Sequence, residues 1–229
     1  MRLDKLLSNI SDLSRKQAGK VIKAGDVLVD GQQLLDPSAH VAEDATLEFQ
    51  GMSLRQSGPR YFMMHKPEGY VCSTKDRIHP TVLDLMDEDQ KGDLRIVGRL
   101  DIDTTGLVLI TDDGQWSHRI TSPRHRCDKV YRVFVEQPLQ ESYINKFEEG
   151  VQLHEENRKT LPAKLEILSD YEARLTIQEG KYHQVKRMFA EVGNHVTELH
   201  REQIGTVVLD ESLEASQYRE LTPEEIDSF

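Results

Sequence analysis

The chain has few cysteines and no long hydrophobic run, and both absences exclude classes of protein. Its two cysteines, Cys72 and Cys127, lie far apart with no second pair of ligands, so neither a disulfide framework nor a zinc site is indicated. The longest apolar run covers only residues 106–110, whereas a membrane helix needs about 20 apolar residues. The start of the chain shows no signal-peptide pattern either, so we expect a cytoplasmic protein without membrane contact.

Positive charge is scarce overall but concentrated in two segments. The net charge of −11 at first argues against a polyanionic partner. Residues 1–25, however, carry six basic and two acidic side chains, and residues 117–132 carry five and one. Acidic residues instead dominate residues 203–229. Because salt screens charges beyond about 10 Å, local charge matters more than the total, and the two basic segments are suited to bind nucleic acid. Ordinary solvated helix faces explain the same charges equally well.

The N-terminal segment has its own pattern of elements. Leucines at helical spacing predict a short first helix, and Ser14 with Gln17 forms a capping-box pattern for a second helix that ends at Gly25. Asp30-Gly31 between apolar residues predicts a β-hairpin, and residues 41–49 predict a further strand.

Residues 50–60 contain glycine, serine and proline and are typical of a linker. We therefore expect two domains, residues 1–58 and residues 59–229. The predicted strands of the second are residues 61–64, 94–97, 107–110, 129–136, 164–168, 173–178 and 196–199, and its predicted helices are residues 81–86, 138–149 and 182–192. Antiparallel pairs interspersed with helices indicate an α+β fold, with a mostly antiparallel mixed sheet and flanking helices.

A polar loop that begins at Gly98 and ends at Gly106 lies between two of these strands. Because the strands fix both ends of the loop, an aspartate at its centre can be aimed at a substrate, and Asp101 is the candidate catalytic residue. The acids of this loop partly imitate a calcium-binding loop, but its twelfth position is Asp112 and the flanking elements are strands. A cap that binds nearby backbone amides is the other alternative, and it suits Asp103 better.

A second segment with a candidate site residue is the predicted helix that contains Lys186. The apolar side chains Val185, Met188 and Phe189 fall on one face of a predicted helix, and Lys186 lies at the border of that face. Such a cation can reach inward on its methylene stem. Paired with Asp101 in a cleft, Lys186 would keep that carboxyl group ionised.

These segments together resemble the pseudouridine synthase family, in its ribosomal small-subunit branch. The resemblance rests on Gly98-Arg99-Leu100-Asp101 with Thr104-Thr105-Gly106, on Lys129-Val130-Tyr131 and on His183-Gln184-Val185-Lys186. It implies that Asp101 is catalytic, that Tyr131 packs on the target uracil and that Lys186 pairs with Asp101, with Arg99 as an RNA or substrate contact. In the segment His65-Lys66-Pro67-Glu68-Gly69, His65 stands where the family usually has asparagine.

Roughly the first fifty residues resemble the S4-type RNA-binding domain. The resemblance rests on residues 2–7, Ser14-Arg15 and residues 27–31. The basic residues expected to bind RNA are Arg2, Lys5, Arg15, Lys16, Lys20, Lys23, Arg119, Arg124 and Arg126. Residues 114–125 resemble the enzymes of the branch that act on 16S ribosomal RNA, which implies 16S rRNA or a small-subunit assembly intermediate as the partner.

The leading hypothesis is thus an RNA-modifying isomerase that acts as a monomer. It needs no cofactor or metal, since the sequence shows no phosphate-binding glycine loop and no convincing ligand cluster. Three alternatives stay open: an RNA-binding or ribosome-assembly module without catalysis, a related synthase that acts on 23S rRNA, and a nucleoside hydrolase that would liberate free uracil.

Overall fold

The computed structural model describes residues 1–42, 45–55, 58–87, 91–154 and 156–229. The chain divides into two compact units, Met1–Pro59 and Arg60–Phe229.

The first unit packs two helices with a small antiparallel sheet. Its elements are α1 (Leu3–Asn9), α2 (Arg15–Ala24), β1 (Val27–Val29), β2 (Gln32–Gln33), β3 (Thr46–Phe49) and β4 (Met52–Arg55), and the strand order is β2-β1-β3-β4. The predicted capping box is confirmed, because the Ser14 side chain accepts from Gln17 N and the Gln17 side chain accepts from Ser14 N. Gly25 ends α2 in the left-handed conformation with φ 85°.

The linker interpretation of residues 50–60 is wrong for the first half of that segment. Gln50 and Gly51 have φ values of 53° and 77° and form the tight turn between β3 and β4. A two-residue hairpin turn needs left-handed residues, so its polar composition imitates that of a linker. Residues 56 and 57 of this segment lie outside the described residues. Residues 43 and 44 of the predicted strand 41–49 do so as well, and the strand that the structure describes within that range is β3.

The second unit is built on a larger sheet flanked by helices. Its strands are β5 (Tyr61–Lys66), β6 (Arg95–Val97), β7 (Thr105–Thr111), β8 (Lys129–Val135), β9 (Lys164–Ser169), β10 (Glu172–Ile177), β11 (Val196–Ile204), β12 (Val207–Val208) and β13 (Tyr218–Glu220). Its α-helices are α3 (Gly114–Thr121), α4 (Ser142–Glu148), α5 (Gln184–Glu191) and α6 (Pro223–Asp227), with short 3₁₀ turns at Val82–Leu85 and Lys91–Asp93.

The sheet runs in the order β13-β5-β7-β11-β8-β10-β9, with β6 beside β7 and β12 beside β11. Its described pairs are antiparallel except for β7 with β11, which are parallel. The predicted α+β fold with a mostly antiparallel mixed sheet is confirmed.

Two predicted helix boundaries differ from the structure. The helix expected at residues 138–149 begins only at Ser142, and the preceding segment contacts the turn between β9 and β10, where Leu139 N donates to Asp170 O at 2.6 Å. The helix expected at residues 182–192 begins at Gln184, because His183 has the left-handed conformation. Sequence patterns also missed α3, α6 and the edge strand β13.

Strand β7 lies at the centre of the hydrophobic core. Val108 and Ile110 face the cluster that contains Phe147 and Phe189, whereas Leu107 and Leu109 face the cluster that contains Trp116. All four residues of this run are 0% exposed, as expected for a strand buried on both faces. The loop that precedes β7 is therefore anchored to the most deeply buried part of the unit.

Gly106 allows β7 and β11 to approach closely at the end of that loop. Gly106 pairs with Arg201 in the parallel register and has φ 104°. A Cβ atom at this position would lie 2.3 Å from Arg201 O and 2.6 Å from Arg201 N. Both atoms belong to the backbone, so neither can move aside without opening the sheet.

Replacing Gly106 with Ala is expected to destabilise the second unit by about 2–4 kcal/mol, because the methyl group meets backbone atoms at a strained φ. Urea unfolding followed by fluorescence of Trp116, the single tryptophan, measures the change. Gly193→Ala is the matched control, since Gly193 has φ 78° but no atom within 4 Å of the position that the added methyl group would occupy, and it should cost only about 1 kcal/mol. Equal losses in both variants would contradict the steric argument.

Candidate active site

The loop that carries Asp101 is closed by its own backbone and bound to a neighbouring segment. Thr104 N donates to Asp101 O at 3.1 Å, which forms a turn within the loop. Gly69 N donates to Ile102 O at 2.9 Å, and Leu100 N donates to Cys72 Sγ at 3.3 Å. These hydrogen bonds hold the loop against the segment that follows β5.

A buried lysine holds the middle of the loop from below. Lys66, at the end of β5, is 0% exposed, and its Nζ donates to Ile102 O at 3.2 Å and to Thr104 O at 2.7 Å. It also donates to Pro67 O at 2.9 Å. Burial lowers the pKa of Lys66, and nearby acidic groups oppose that effect.

A buried arginine binds the backbone at the start of the loop and just beyond its end. Arg201, on β11, is 1% exposed. Its Nη2 donates to Gly98 O at 2.7 Å and its Nε donates to Leu107 O at 2.8 Å. Its Nη1 donates to the Tyr131 hydroxyl at 3.4 Å, so one guanidinium joins the loop to β8.

The loop forms one wall of a cleft of about 520 Å³ within the second unit. The other walls come from β8, from the segment that joins β10 to α5, and from residues 121–123 at the end of α3. The candidate residues Arg99, Asp101 and Tyr131 all line this cleft. Arg99 is exposed at its edge, whereas Tyr131 is only 7% exposed.

Two side chains from the start of α5, His183 and Lys186, approach Asp101. His183 Nε2 lies 3.5 Å from Asp101 Oδ1, and Lys186 Nζ lies 3.9 Å from Asp101 Oδ2. The Asp101 side chain keeps 28% of its surface exposed, so it is accessible from the cleft. This arrangement joins residues that are 82 and 85 positions apart in the chain.

Lys186 contacts Asp103 more closely than Asp101. Its Nζ donates to Asp103 Oδ1 at 2.6 Å and to Oδ2 at 2.7 Å. Burial works to raise the pKa of Asp103, but the hydrogen bonds and charge of Lys186 outweigh it, so this pKa lies below its ordinary value. The sequence interpretation of Asp103 as loop structure is therefore incomplete, since Lys186 is shared between the two carboxylates.

Sequence reasoning missed several groups at this site. Lys66 and Arg201, which bind the loop backbone, were given no role. Lys129 was given none either, although it is 8% exposed, lines the cleft and donates to Cys127 O at 2.8 Å. Burial lowers the pKa of Lys129. For Lys66 and Lys129 the available signal was a basic residue at a buried position of a largely apolar strand, whereas the polar strand β11 offered no such signal for Arg201. His65 instead lies away from the cleft, where its Nδ1 donates to Leu213 O at 2.8 Å.

The predicted RNA-binding residues fall into two groups. Arg2 and Arg15 both bind Asp4, with N–O distances of 2.8 Å and 3.3 Å, and the hydrogen bonds of Arg2 and then of Arg15 lower the pKa of that carboxyl to about 2. Arg119 Nε donates to Phe229 O at 2.9 Å. The remaining members of the prediction have exposed side chains: Lys5, Lys16, Lys20, Lys23, Arg124 and Arg126.

Within the described ranges, no three His, Cys, Asp or Glu side chains lie close enough together to hold a metal ion. Across the same ranges, no helix combines the length and apolar character that a membrane crossing requires.

Comparison with known proteins places this cleft in a family context. Residues 60–191 match the family model described as RNA pseudouridylate synthase, and residues 1–47 match that of the S4 domain. A curated relative from Escherichia coli (strain K12), named ribosomal small subunit pseudouridine synthase A, is 54% identical over 229 residues, which cover 100% of this chain and 99% of the relative. The protein of the same name from Vibrio vulnificus (strain CMCP6) is 54% identical over 230 residues, with coverage of 100% and 99%. A crystal structure titled as a pseudouridylate synthase is 49% identical, with a TM-score of 0.73 and coverage of 100% and 99%.

Replacing Arg201 with Lys is expected to destabilise the second unit by about 1–3 kcal/mol, because a single ammonium cannot reproduce the fork that binds the Gly98 and Leu107 carbonyls. Urea unfolding followed by Trp116 fluorescence again measures the change. Arg174→Lys is the matched control: Arg174 is a partly exposed strand residue that binds Glu202 at 2.9 Å, and its loss should cost less than about 1 kcal/mol. The structural role of Arg201 would be contradicted if both variants were equally stable.

Proposed function

Because the chain belongs to the RNA pseudouridylate synthase family and is thus a pseudouridine synthase, we propose that it acts on a uridine of small-subunit ribosomal RNA with Asp101 as its catalytic carboxylate. The observation that carries the role of Asp101 is its position on a firmly held loop, in the same cleft as the Tyr131 ring. The names of the full-length relatives support the ribosomal small-subunit substrate.

The reaction makes three demands on the cleft. The bond from ribose C1′ to N1 of uracil breaks, the base turns, and a bond forms from C1′ to C5. The proton on C5 is lost and N1 gains one, so the product is an isomer and no electrons are transferred. The enzyme therefore needs a group that acts on the ribose, a surface that keeps the detached base, and a site that excludes water.

Asp101 meets the first demand in either of two ways. Its carboxylate stabilises or traps positive character at C1′, as the carboxylates of retaining glycosidases do, or it removes a proton from the ribose as a base. Both roles need a carboxylate whose position varies little. The hydrogen bonds that Lys66 and Arg201 donate to the loop carbonyls provide that restraint.

Tyr131 meets the second demand. Its ring lies in the wall of the cleft, and the hydrogen bond from Arg201 to its hydroxyl restrains the orientation of the ring. An aromatic face of this kind stacks on a base that has left the RNA stack and holds it while it turns. Because Tyr131 has only a small exposed fraction, little water reaches this wall of the cleft.

The basic side chains are proposed to bind the RNA backbone. Lys5, Lys16, Lys20 and Lys23 are exposed on the first unit, where they are available to phosphates. Arg2 and Arg15 share Asp4, so we expect them to contribute less. On the second unit, Arg124 and Arg126 closely follow the cleft-lining residues 121–123, so they are suited to bind the RNA strand that enters the cleft. Arg119 lies shortly before them in the chain, and Arg99 lies at the edge of the cleft.

The finer identity of the substrate and the working state of the enzyme are part of the same proposal. The RNA is 16S rRNA or a small-subunit assembly intermediate, and the enzyme acts on it as a monomer without a cofactor. Such an RNA is made and assembled in the cytoplasm of the bacteria that hold the relatives.

Replacing Asp101 with Asn is expected to lower turnover by at least about 10³-fold while leaving RNA affinity nearly unchanged, because the amide lacks the charge that acts on the ribose. Release of tritium from C5 of uracil in transcribed 16S rRNA measures turnover. Asp170→Asn, a matched change in the exposed turn between β9 and β10, should behave as wild type. Turnover in the Asp101 variant would refute its catalytic role, release of free uracil would indicate a hydrolase, and activity on 23S rRNA alone would refute the substrate.

Lys186→Met is expected to reduce kcat by about 10- to 100-fold with little change in RNA affinity, because the methyl end no longer orients Asp101. Asp103→Asn separates the two partners of Lys186: it removes the closer carboxylate, frees Lys186 for Asp101 and should reduce kcat by less than about 5-fold. Single-turnover kinetics and a binding titration give the two quantities. Equal loss of affinity and turnover in Lys186→Met would make Lys186 a phosphate contact instead.

A further inference from the structure

A stacked aromatic pair at the mouth of the cleft, exposed at Tyr182 and half-buried at His183, has no part in the reaction described above. Tyr182 and His183, in the segment between β10 and α5, stack on each other with ring centroids 3.8 Å apart and an angle of 18° between the ring planes. Both residues line the cleft. Tyr182 nevertheless remains 73% exposed, although burial of an aromatic ring of this size is favourable.

The exposure of Tyr182 does not result from a loosely held segment. Lys181 N donates to Gln184 Oε1 at 2.9 Å, and Arg187 Nη1 donates to Tyr182 O at 3.1 Å. Lys181 Nζ also binds Glu156 Oε2 at 2.8 Å. The backbone is thus held at Lys181 and at Tyr182, while the Tyr182 side chain stays exposed.

The conformation of His183 directs the pair toward the loop that carries Asp101. His183 has φ 48° and ψ 36°, a left-handed conformation that costs a side-chain-bearing residue about 1–2 kcal/mol. Strain of this kind occurs in tight turns and also clusters at functional sites. One face of the imidazole contacts the Tyr182 ring, while its Nε2 lies 3.5 Å from Asp101 Oδ1. The stacked pair therefore reaches the carboxylate through His183.

We propose that Tyr182, supported by His183, is a platform on which an RNA base adjacent to the target uridine stacks. The proposal rests on the proposed function, since it requires the target uridine to leave its stack and enter the cleft. When that base leaves, its neighbour in the strand loses a stacking partner at the cleft mouth. The open face of Tyr182 replaces the lost partner, and an aromatic face accepts any base because every base has a π-face.

The platform acts on binding and has no chemical role, so its signature differs from that of Asp101. Tyr182→Ala is expected to weaken binding of a small-subunit rRNA fragment by about 5- to 100-fold, the range for the loss of one stacked base. At saturating RNA its kcat should stay within about 3-fold of wild type. Tyr182→Phe keeps the ring and should bind within about 2-fold of wild type.

Tyr171→Ala is the matched control. Tyr171 is 50% exposed in the turn between β9 and β10 and does not line the cleft, so its loss should leave affinity unchanged. Fluorescence anisotropy of the labelled RNA fragment gives the dissociation constants of wild type and the three variants. In wild type, 2-aminopurine placed beside the target uridine should also be quenched on binding, and Tyr182→Ala should remove that quenching.

The outcomes separate this inference from the proposed function. Unchanged affinity and quenching in Tyr182→Ala would overturn the platform while leaving the tritium-release result for Asp101 intact. An equal loss in Tyr171→Ala or in Tyr182→Phe would also overturn it, because the effect would not depend on the aromatic face at the cleft. If wild type released no tritium, the proposed function would fail, and the binding comparison would still test whether Tyr182 stacks on RNA.

Discussion

The candidate active site depends on two buried cations that donate hydrogen bonds to the carbonyl oxygens of one loop. The loop from Gly98 to Thr104 leaves the sheet, so several of its carbonyls have no ladder partner, and a buried carbonyl without a donor costs free energy. Arg201 satisfies the Gly98 carbonyl at the start of the loop and the Leu107 carbonyl in β7, and Lys66 satisfies the carbonyls of Ile102 and Thr104. Because neither cation binds a carboxylate through these contacts, their charge serves to hold the backbone that carries Asp101.

The sheet topology explains why this arrangement is available. The parallel pairing of β7 with β11 brings the Arg201 backbone against Gly106, where a side chain would not fit. Strand β8 also pairs with β11 and places Tyr131 opposite Arg201, so the same guanidinium reaches the Tyr131 hydroxyl. The residue proposed to act on the ribose and the residue proposed to hold the base are thus positioned by one side chain, which couples the two halves of the chemistry.

The acidic and basic side chains of the chain have different environments. The acidic excess of residues 203–229 is partly engaged within the fold: Arg219 binds Asp210 and Glu225, and hydrogen bonds from Ser212 and Arg219 lower the pKa of Asp210 to about 2. The exposed lysines of the first unit are separate from this acidic segment in sequence. A net charge of −11 is therefore compatible with a nucleic-acid substrate, because binding depends on local potential and not on the total.

Local patterns in the sequence determined the elements whose causes are local. The Ser14 and Gln17 cap, the Asp30-Gly31 turn and the apolar run in β7 depend on neighbours within a few residues. The apolar runs on either side of Asp101 likewise showed that it lies in a loop between two strands. The sequence also indicated the α+β class and, through the resemblance, the family. Only the tertiary structure decided that Lys66 and Arg201 support the loop that carries Asp101, that Lys186 is shared between Asp103 and Asp101, and that Tyr182 is exposed beside them. These contacts join residues far apart in the chain, and their distances are set by the strand order and packing of the sheet, which no local pattern encodes.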